Sequence, residues 1–425
     1  MKPIAIACGI VVLVLASAVG APRSDAEVKE LLAELKKPDV AARRKAAEQI
    51  AELIKSGEGD FTGAVAELAD ALKDKDAIVR GEVAEALGYL GPDAKSALPG
   101  IRALFKDPVP EVRAKAAFAA GGFGDDAKAA VPELASLLKD PSEQVRAAAA
   151  AGLGEVGAAA KSAVAPLIAA LRDRDPEVRL NAAAALGSIG PDAKSADRTL
   201  LSLLKDEDEG VRGQAAESLG RIGADAKLTV PALTAALSDK HPGVRGDVCH
   251  ALAKFKENAK PAVAALTKLL KDPDHGVRVH AAEAVYEIGG EVKVVLPVLI
   301  EGLKHEDPFV RGDAAHTLGE MGAAAKPAAN AIRNLLKDEN SGIRVHAAES
   351  LVKIDKTAMK EALPVLIEGL KHEEPAVRTE VAEALGEIGP AAKDAIPALT
   401  AALKDKHRSV REAVSLALKK MQDKR

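Results

Sequence analysis

Apolar residues recur along the chain in two short sets per unit, and each set has helical spacing. In the unit from Lys95 to Gly124, the first set consists of Leu98, Ile101, Leu104 and Phe105. The second set consists of Val112, Ala116, Ala117 and Ala120. Because residues three or four apart lie on one face of a helix, the two sets predict two short helices, A and B, that each bury one face.

An arginine near the start of each predicted helix B sets the period of the pattern. The arginines 33 residues apart are Arg80, Arg113, Arg146, Arg179, Arg212, Arg245, Arg278, Arg311 and Arg344. Arg378 follows after 34 residues and Arg411 after another 33, while Arg43 precedes Arg80 by 37. A fixed period over twelve units is typical of a solenoid, in which each unit packs only on its neighbours. The period predicts one elongated all-α domain over residues 22–425.

Residues at the helix boundaries support this division. Asp175 precedes Pro176 at the start of one helix B, where it can cap free amides and where a proline loses no hydrogen bond. The same capping position holds Asp76, Ser142, Asp208, Asp274, Asp307 and Asn340. Eleven residues after the arginine come Gly91, Gly124, Gly157, Gly190, Gly223, Gly289, Gly322 and Gly389. These glycines predict a left-handed end to helix B. The prolines predicted to open helix A are Pro99, Pro132, Pro231, Pro297, Pro364 and Pro397.

Two recurring motifs resemble those of HEAT repeats, specifically the short class named for phycobilisome lyases. They are Asp-Pro-x-Val-Arg, as at residues 175–179, and Ala-Ala-x-Ala-Leu-Gly-x-Ile-Gly, as at residues 182–190. The signatures of ankyrin and tetratricopeptide repeats, which have similar periods, are not present. The resemblance implies a right-handed α-solenoid of about twelve HEAT-like helix pairs with a period of 33. It also implies that an aspartate six residues before the arginine bonds across successive units: Asp74, Asp107, Asp140, Asp173, Asp206, Asp239, Asp272, Asp338 and Asp405.

Residues 1–21 differ from the rest of the chain. Lys2 is the only charged side chain among them, and residues 4–19 are all apolar or small. Small residues at 16–18 and 19–21 fit a cleavage site, so the segment predicts a secretory signal peptide. The alternative is an uncleaved anchor, and only then would the protein contact a membrane. We therefore expect an exported protein, periplasmic or extracellular.

Composition narrows the classes of function. The net charge is -4 with both signs interspersed, which does not favour binding to nucleic acid. Aromatic residues make up 2% of the chain and Trp is absent, which argues against a binding site built on aromatic anchors. Cys249 occupies a position that is alanine in most units, so we expect a small buried hydrophobic residue there.

A row of lysines is the first candidate for a binding surface. The ten residues, each eighteen before an arginine, are Lys95, Lys128, Lys161, Lys194, Lys227, Lys260, Lys293, Lys326, Lys360 and Lys393. They are predicted in the loop that leads into helix A and would line one long edge. Such an edge could hold an anionic polymer. Alternatively, each lysine covers apolar surface with its stem and meets a nearby carboxylate.

A stripe of histidines and carboxylates is the second candidate. Its members, two and five residues after the arginine in four consecutive units, are Asp247, His250, His280, Glu283, Asp313, His316, His346 and Glu349. Residues three apart share one helix face, and imidazole and carboxylate are ligands that transition metals choose. The sets that could converge on a metal are His280 with Asp247 and His250, or His316 with Glu283 and His280. We expect instead separated imidazole–carboxylate contacts, with no metal and no cofactor.

Helix B lines the inner curve in related solenoids, so the stripe is expected on the concave side. Deoxyhypusine hydroxylase, a HEAT-like enzyme, binds iron through His-Glu pairs directly after this arginine. Here Arg80, Arg311 and Arg378 are each followed by an acid two residues on, without the adjacent histidine. The sequence therefore predicts a non-enzymatic scaffold that binds protein partners on an extended concave surface. The alternatives are anionic-polymer binding on the lysine edge, or a metal-dependent or lyase-type activity at the stripe.

Overall fold

A computed structural model describes residues 25–405 and 407–422 of the chain. The predicted signal peptide or anchor, residues 1–21, lies outside the described residues. The described part folds into twelve consecutive pairs of α-helices, odd-numbered A helices alternating with even-numbered B helices, and no strand occurs in it. The all-α solenoid predicted from the period is confirmed, while its right-handedness stays a prediction.

The helix bounds follow the repeat. The A helices are α1 Asp25–Glu34, α3 Val65–Ala71, α5 Leu98–Ala103, α7 Val131–Leu137, α9 Val164–Ala170, α11 Asp197–Leu203, α13 Ala226–Ala236, α15 Val263–Leu269, α17 Val292–Gly302, α19 Ala329–Leu335, α21 Met359–Gly369 and α23 Ile396–Ala402. The B helices are α2 Val40–Lys55, α4 Ala77–Leu90, α6 Pro110–Gly121, α8 Glu143–Val156, α10 Pro176–Ile189, α12 Glu209–Arg221, α14 Pro242–Lys254, α16 His275–Glu287, α18 Pro308–Met321, α20 Ser341–Ile354, α22 Pro375–Ile388 and α24 Arg408–Gln422.

Helix B begins at the predicted caps and ends at the predicted glycines. The Asp175 side chain accepts a hydrogen bond from the Val178 amide, and equivalent caps occur at the sister positions except Ser142, whose side chain makes no capping bond. All eight predicted glycines have positive φ. At Gly157, φ is 64° but ψ is -138°, so the backbone leaves the left-handed helical region that we predicted. This conformation redirects the chain straight into a 3-10 segment.

Short 3-10 segments lead into most A helices. The longest are Gly91–Ala97, Gly124–Ala130, Gly157–Ala163, Gly190–Ala196, Lys256–Ala262, Gly322–Ala328 and Gly389–Ala395. In three repeats the same stretch is α-helical, so α13, α17 and α21 start about one turn earlier. Pro231, Pro297 and Pro364 therefore lie inside these helices and do not open them as predicted, whereas Pro99, Pro132 and Pro397 do.

The core lies between the A and B helices and forms two clusters of buried residues, one reaching Ala358 and the other beginning at Val345. Both predicted stripes of the example unit are buried, including Ile101 and Ala116 at 0% exposure. In the described part of the chain consecutive B helices pack directly on one another, except that the pairs α16–α18 and α20–α22 make few contacts; consecutive A helices also make few contacts. The surface formed by the exposed sides of the B helices is called the inner face below, after the concave side on which the sequence predicts it.

The first and last repeats of the array touch. Gly57, which follows α2, has positive φ and lies against the His407 ring, so that a Cβ on Gly57 would sit 2.7 Å from His407 Nδ1. Hydrogen bonds from the Thr62 hydroxyl and amide lower the pKa of Asp60, and the charge of Arg411 in the last repeat adds to that effect. The two ends of the solenoid are therefore in contact.

One helical stretch, Glu143–Ala170, is long and apolar enough to cross a membrane by length and composition. It comprises α8, the 3-10 segment Gly157–Ala163 and α9, and the backbone turns at Gly157. Leu153 and Leu167 of this stretch are fully buried against neighbouring repeats.

Candidate functional site

Arginine–aspartate pairs join successive repeats, as the resemblance implied. Arg146 donates from Nε and Nη2 to the two oxygens of Asp173 at 2.7 and 2.9 Å, and from Nη1 to the Asp140 carbonyl at 3.0 Å. The hydrogen bond from Arg146 lowers the pKa of Asp173. The other pairs are Arg43–Asp74, Arg80–Asp107, Arg113–Asp140, Arg179–Asp206, Arg212–Asp239, Arg245–Asp272, Arg311–Asp338 and Arg378–Asp405. These arginines therefore hold successive repeats together.

Two joints carry histidine where the others carry this aspartate. His305 and His372 accept hydrogen bonds at Nδ1 from the backbone amides of Asp307 and Glu374, both at 3.0 Å. An imidazole engaged in this way has no second acceptor for an arginine. Arg278 accordingly lacks the bidentate pair: it donates from Nη1 to the Asp272 carbonyl at 2.7 Å, and its Nη2 lies 3.6 Å from Glu301 Oε1. Sequence inspection could have found both joints, because they break the aspartate series.

The histidine stripe lies on the inner face, on α14, α16, α18 and α20. Three of its members converge: one ligand atom each from His250, His280 and Glu283 lie within 4.8 Å of one another. His250 Nε2 is 3.4 Å from Glu283 Oε2, and the two imidazole rings lie 4.3 Å apart, nearly perpendicular. This set differs from both sets considered from the sequence, because Glu283 takes the place expected for Asp247.

The remaining members of the stripe are more dispersed. His346 Nε2 lies 4.0 Å from Glu380, and Glu349 is 2.8 Å from Lys353. Asp313 and His316 are exposed. The contacts His250–Glu283 and His346–Glu380 each join successive layers. At the position two residues after the arginine, the side chain leans back over the preceding helix.

Glycines make room for this lean. Asp247 lies over Gly213 and His280 over Gly246; a Cβ on Gly246 would sit 3.0 Å from His280 Cδ2. His346 lies over Gly312 in the same manner. The sequence signal is a glycine directly after the arginine of one repeat, followed by a large polar residue two after the next arginine.

Burial and mutual charge set the protonation of the converging side chains. Burial and the neighbouring charge of His250 lower the pKa of His280 to about 4, so this imidazole is neutral at physiological pH. Burial opposes the charging of His250, but the hydrogen bond to Glu283 and its charge outweigh burial and raise the pKa of His250. Burial likewise opposes ionisation of Glu283, yet His250 keeps its pKa below the usual value.

The lysine row follows one rim of the solenoid. Seven of the ten residues lie in 3-10 segments, and Lys227, Lys293 and Lys360 lie in the first turn of an A helix; none is in the irregular loop that we predicted. All ten are exposed. Across the described residues, only Lys260 has a carboxylate within 4.0 Å, Glu257 at 3.8 Å. Direct pairing with neighbouring acids therefore does not account for the row.

An aromatic pair on the inner face was missed by the sequence reasoning. Tyr89 of α4 and Phe118 of α6 meet edge to face, 6.4 Å between ring centroids, and are 39% and 42% exposed. Lys115 bridges Glu82 and Glu85 at 2.6 and 2.7 Å beside them. A cavity of about 310 Å³ opens between the same helices, lined by Gly81, Glu82, Val112 and Lys115 among others. The sequence analysis did not predict this pair, because aromatic residues make up only 2% of the chain.

Cys249 is fully buried on α14, as predicted. Burial raises the pKa of its thiol above the ordinary value. Since the thiolate is the reactive form, Cys249 acts as a small core hydrophobe.

Comparisons with solved structures show the fold. The chain is 22% identical to an engineered protein, with coverage of 93% of this chain and 99% of that one and a TM-score of 0.41. It is 17% identical to importin β, with coverage of 94% of this chain and 62% of that one and a TM-score of 0.50. For Kap121p bound to Nup53p the identity is 16%, the coverage 88% and 50%, and the TM-score 0.37. No curated protein matches the chain.

The family model for HEAT repeats matches almost the whole described array. The matched segments are residues 28–109, 98–167, 131–198, 164–230, 230–296, 263–331, 296–366 and 329–419. With twelve stacked helix pairs and the arginine–aspartate joints, this match shows that the chain belongs to the HEAT-repeat family.

Proposed function

We propose that this protein is a non-enzymatic scaffold that binds a protein partner on its inner face. The HEAT-repeat solenoid is a fold typical of protein-interaction scaffolds. Nine of the eleven pairs of consecutive B helices in the described part of the chain pack closely, which supports one extended surface along the row. An extended partner segment would contact several repeats at once.

The exposed pair of Tyr89 and Phe118 is the observation that carries this proposal. Aromatic side chains supply much of the binding energy of interfaces when they become buried. These two rings already support each other edge to face, so little side-chain freedom remains to be lost on binding. The adjoining cavity and the charged cluster around Lys115 add polar contacts at its border.

Quantitative binding with matched variants tests this surface. A partner captured from the native compartment would be purified, and its affinity measured for wild type, for Tyr89→Ser/Phe118→Ser and for Leu228→Ser. Leu228 is 49% exposed but lies on an A helix, away from the inner face. We expect at least ~10-fold weaker binding for the aromatic variant, in line with interface hot spots, and no change for Leu228→Ser. Equal affinities for all three proteins would refute the proposed surface.

We further propose that the scaffold is exported. The apolar run at residues 4–19 after Lys2, with small residues at 16–18 and 19–21, supports a cleaved signal peptide. Sequencing the N-terminus of the protein from its native source tests the proposal. A mature N-terminus near residue 19 or 22 is expected, and an intact Met1 in a cytosolic fraction would contradict it.

The lysine rim supports a second candidate function, the binding of an anionic polymer. Its ten side chains are exposed, and nine have no carboxylate within 4.0 Å among residues 25–405 and 407–422. Unpaired cations in a row suit repeated anionic groups. Changing Lys161, Lys194, Lys227 and Lys260 to Gln should weaken binding to heparin and flatten its salt dependence. Absence of heparin binding by the wild type at low salt would eliminate this function.

A further inference from the structure

His250, His280 and Glu283 converge on the same inner face, but on α14 and α16 and not on the helices of Tyr89 and Phe118, and they have their own chemistry. His280 and Glu283 are one turn apart on α16, and His250 comes from α14 in the preceding repeat. Their ligand atoms lie within 4.8 Å of one another. Two imidazoles and one carboxylate are a donor set found in zinc sites.

The distances fit a small cation with little rearrangement. Bonds of ~2.1 Å at tetrahedral angles place neighbouring ligand atoms about 3.4 Å apart. His250 Nε2 and Glu283 Oε2 are already separated by 3.4 Å. The other separations between ligand atoms of the three side chains are at most 4.8 Å. Side-chain rotations that move these atoms by about an ångström would bring them to bonding positions. Both His250 and Glu283 are partly exposed, at 40% and 28% of the side chain, so an ion can enter from the inner face.

Two observations on His280 favour a role as a ligand. It lies over Gly246, where any Cβ would crowd the ring. Its Nδ1 is buried and has no hydrogen-bond partner in the described part of the chain. A buried polar atom without a partner destabilises the fold unless something else compensates.

We propose that His250, His280 and Glu283 form a three-ligand binding site for a divalent transition metal ion, with Zn²⁺ as the best fit. The sequence alone favoured separated contacts and no metal; the observed convergence of the three side chains is the reason for the change. The fourth coordination position would face the solvent of the inner surface. There it could hold water or a donor group from a bound molecule.

Zinc titration of the untagged full-length protein tests this site. After removal of metal with a chelator, binding of ZnCl₂ would be measured by calorimetry, and Co²⁺ loading by its visible absorption spectrum. We expect one equivalent per chain for wild type, loss of that equivalent in His280→Ala, and at least ~10-fold weaker binding in Glu283→Gln, since even changes around a metal's ligands have effects of that size. Circular dichroism would verify that each variant is folded.

His316→Ala is the matched control. His316 lies on the same stripe two repeats beyond His250 but is exposed and outside the converging set. Its loss should leave zinc binding unchanged. The proposal is overturned if the wild type binds no stoichiometric Zn²⁺, if Glu283→Gln binds as tightly as wild type, or if His316→Ala loses as much affinity as His280→Ala. Gly246→Ala, which retains all three ligands, should weaken binding by displacing the His280 ring.

Discussion

Arg179 donates from Nε and Nη2 to the two carboxylate oxygens of Asp206, at 2.9 and 2.7 Å, across the joint between two repeats. Both side chains are 9% exposed. The guanidinium also donates to the Asp173 carbonyl at 3.0 Å, so a single side chain ties two turns together. Nine such joints occur in the described part of the chain. The angle between successive repeats therefore depends on hydrogen-bond geometry as well as on apolar packing.

Removal of the carboxylate from this joint should destabilise the solenoid. Asp206→Ala leaves Arg179 shielded from water and without its partner, and we expect a loss of about 3 kcal/mol in the free energy of unfolding, measured with urea. Glu207→Gln is the control, because Glu207 lies 3.8 Å from the same arginine but is 90% exposed. It should change stability by less than ~0.5 kcal/mol. Comparable losses in the free energy of unfolding of both variants would show that the bidentate pair contributes no more to stability than the exposed carboxylate.

A substitution should restore the arginine–aspartate pair at a joint that lacks it. At the joint of Arg278, His305 stands where the other repeats have aspartate. We expect His305→Asp to provide the absent acceptor and to raise the free energy of unfolding, measured with urea, by about 1 kcal/mol, the net value of a typical hydrogen bond. This gain is net of the 2.8 Å contact between His305 and His275, which the substitution removes. The same substitution in an Arg278→Ala background should give no gain. A gain that persists there would mean that Arg278 is not the group responsible.

Truncation in the core should have local effects. Leu186 of α10 is fully buried between neighbouring layers. Leu186→Ala should cost ~2–5 kcal/mol and reduce amide hydrogen-exchange protection mainly in the adjacent repeats. Loss of protection only in distant repeats would contradict this. The Leu228→Ser protein, altered at an exposed position, provides the baseline.

The joints should also make the protein sensitive to acid. For Asp74, Asp140, Asp239, Asp338 and Asp405, burial favours the neutral carboxyl, but the arginine partner and a backbone amide outweigh it and lower the pKa. A carboxyl with a lowered folded-state pKa stabilises fully above its unfolded value, near ~3.9, and less as the pH falls through the folded value. We therefore expect stability to decline below about pH 4. Asp140→Asn should show a shallower decline, and an unchanged acid slope would argue against this cause.

The helix pairs could be predicted from sequence because local rules agree with one another in every unit. Caps such as Asp175, glycines such as Gly157 and the apolar stripes each mark the same boundaries. Predictions were wrong where one repeat departs from the pattern, as at Pro231, because an early helix start depends on local capping by Asp225. The side chains on the inner face could not be placed, because their directions depend on neighbours in other layers. Asp247 lies against Gly213 of the preceding repeat, while Glu283 contacts His250 from the following repeat.

The contact of Gly57 with His407 has a consequence for how the array can change in length. Gly57 follows a B helix, whereas His407 precedes one, so opposite rims of the molecule meet. The array therefore forms a single coil in which the last repeat lies against the first. Insertion of a repeat would displace His407 from Gly57. Deletion of a repeat would open a gap in the coil. In an open solenoid such gains and losses alter only a neighbouring joint; here they would also change what the opposite end of the chain touches.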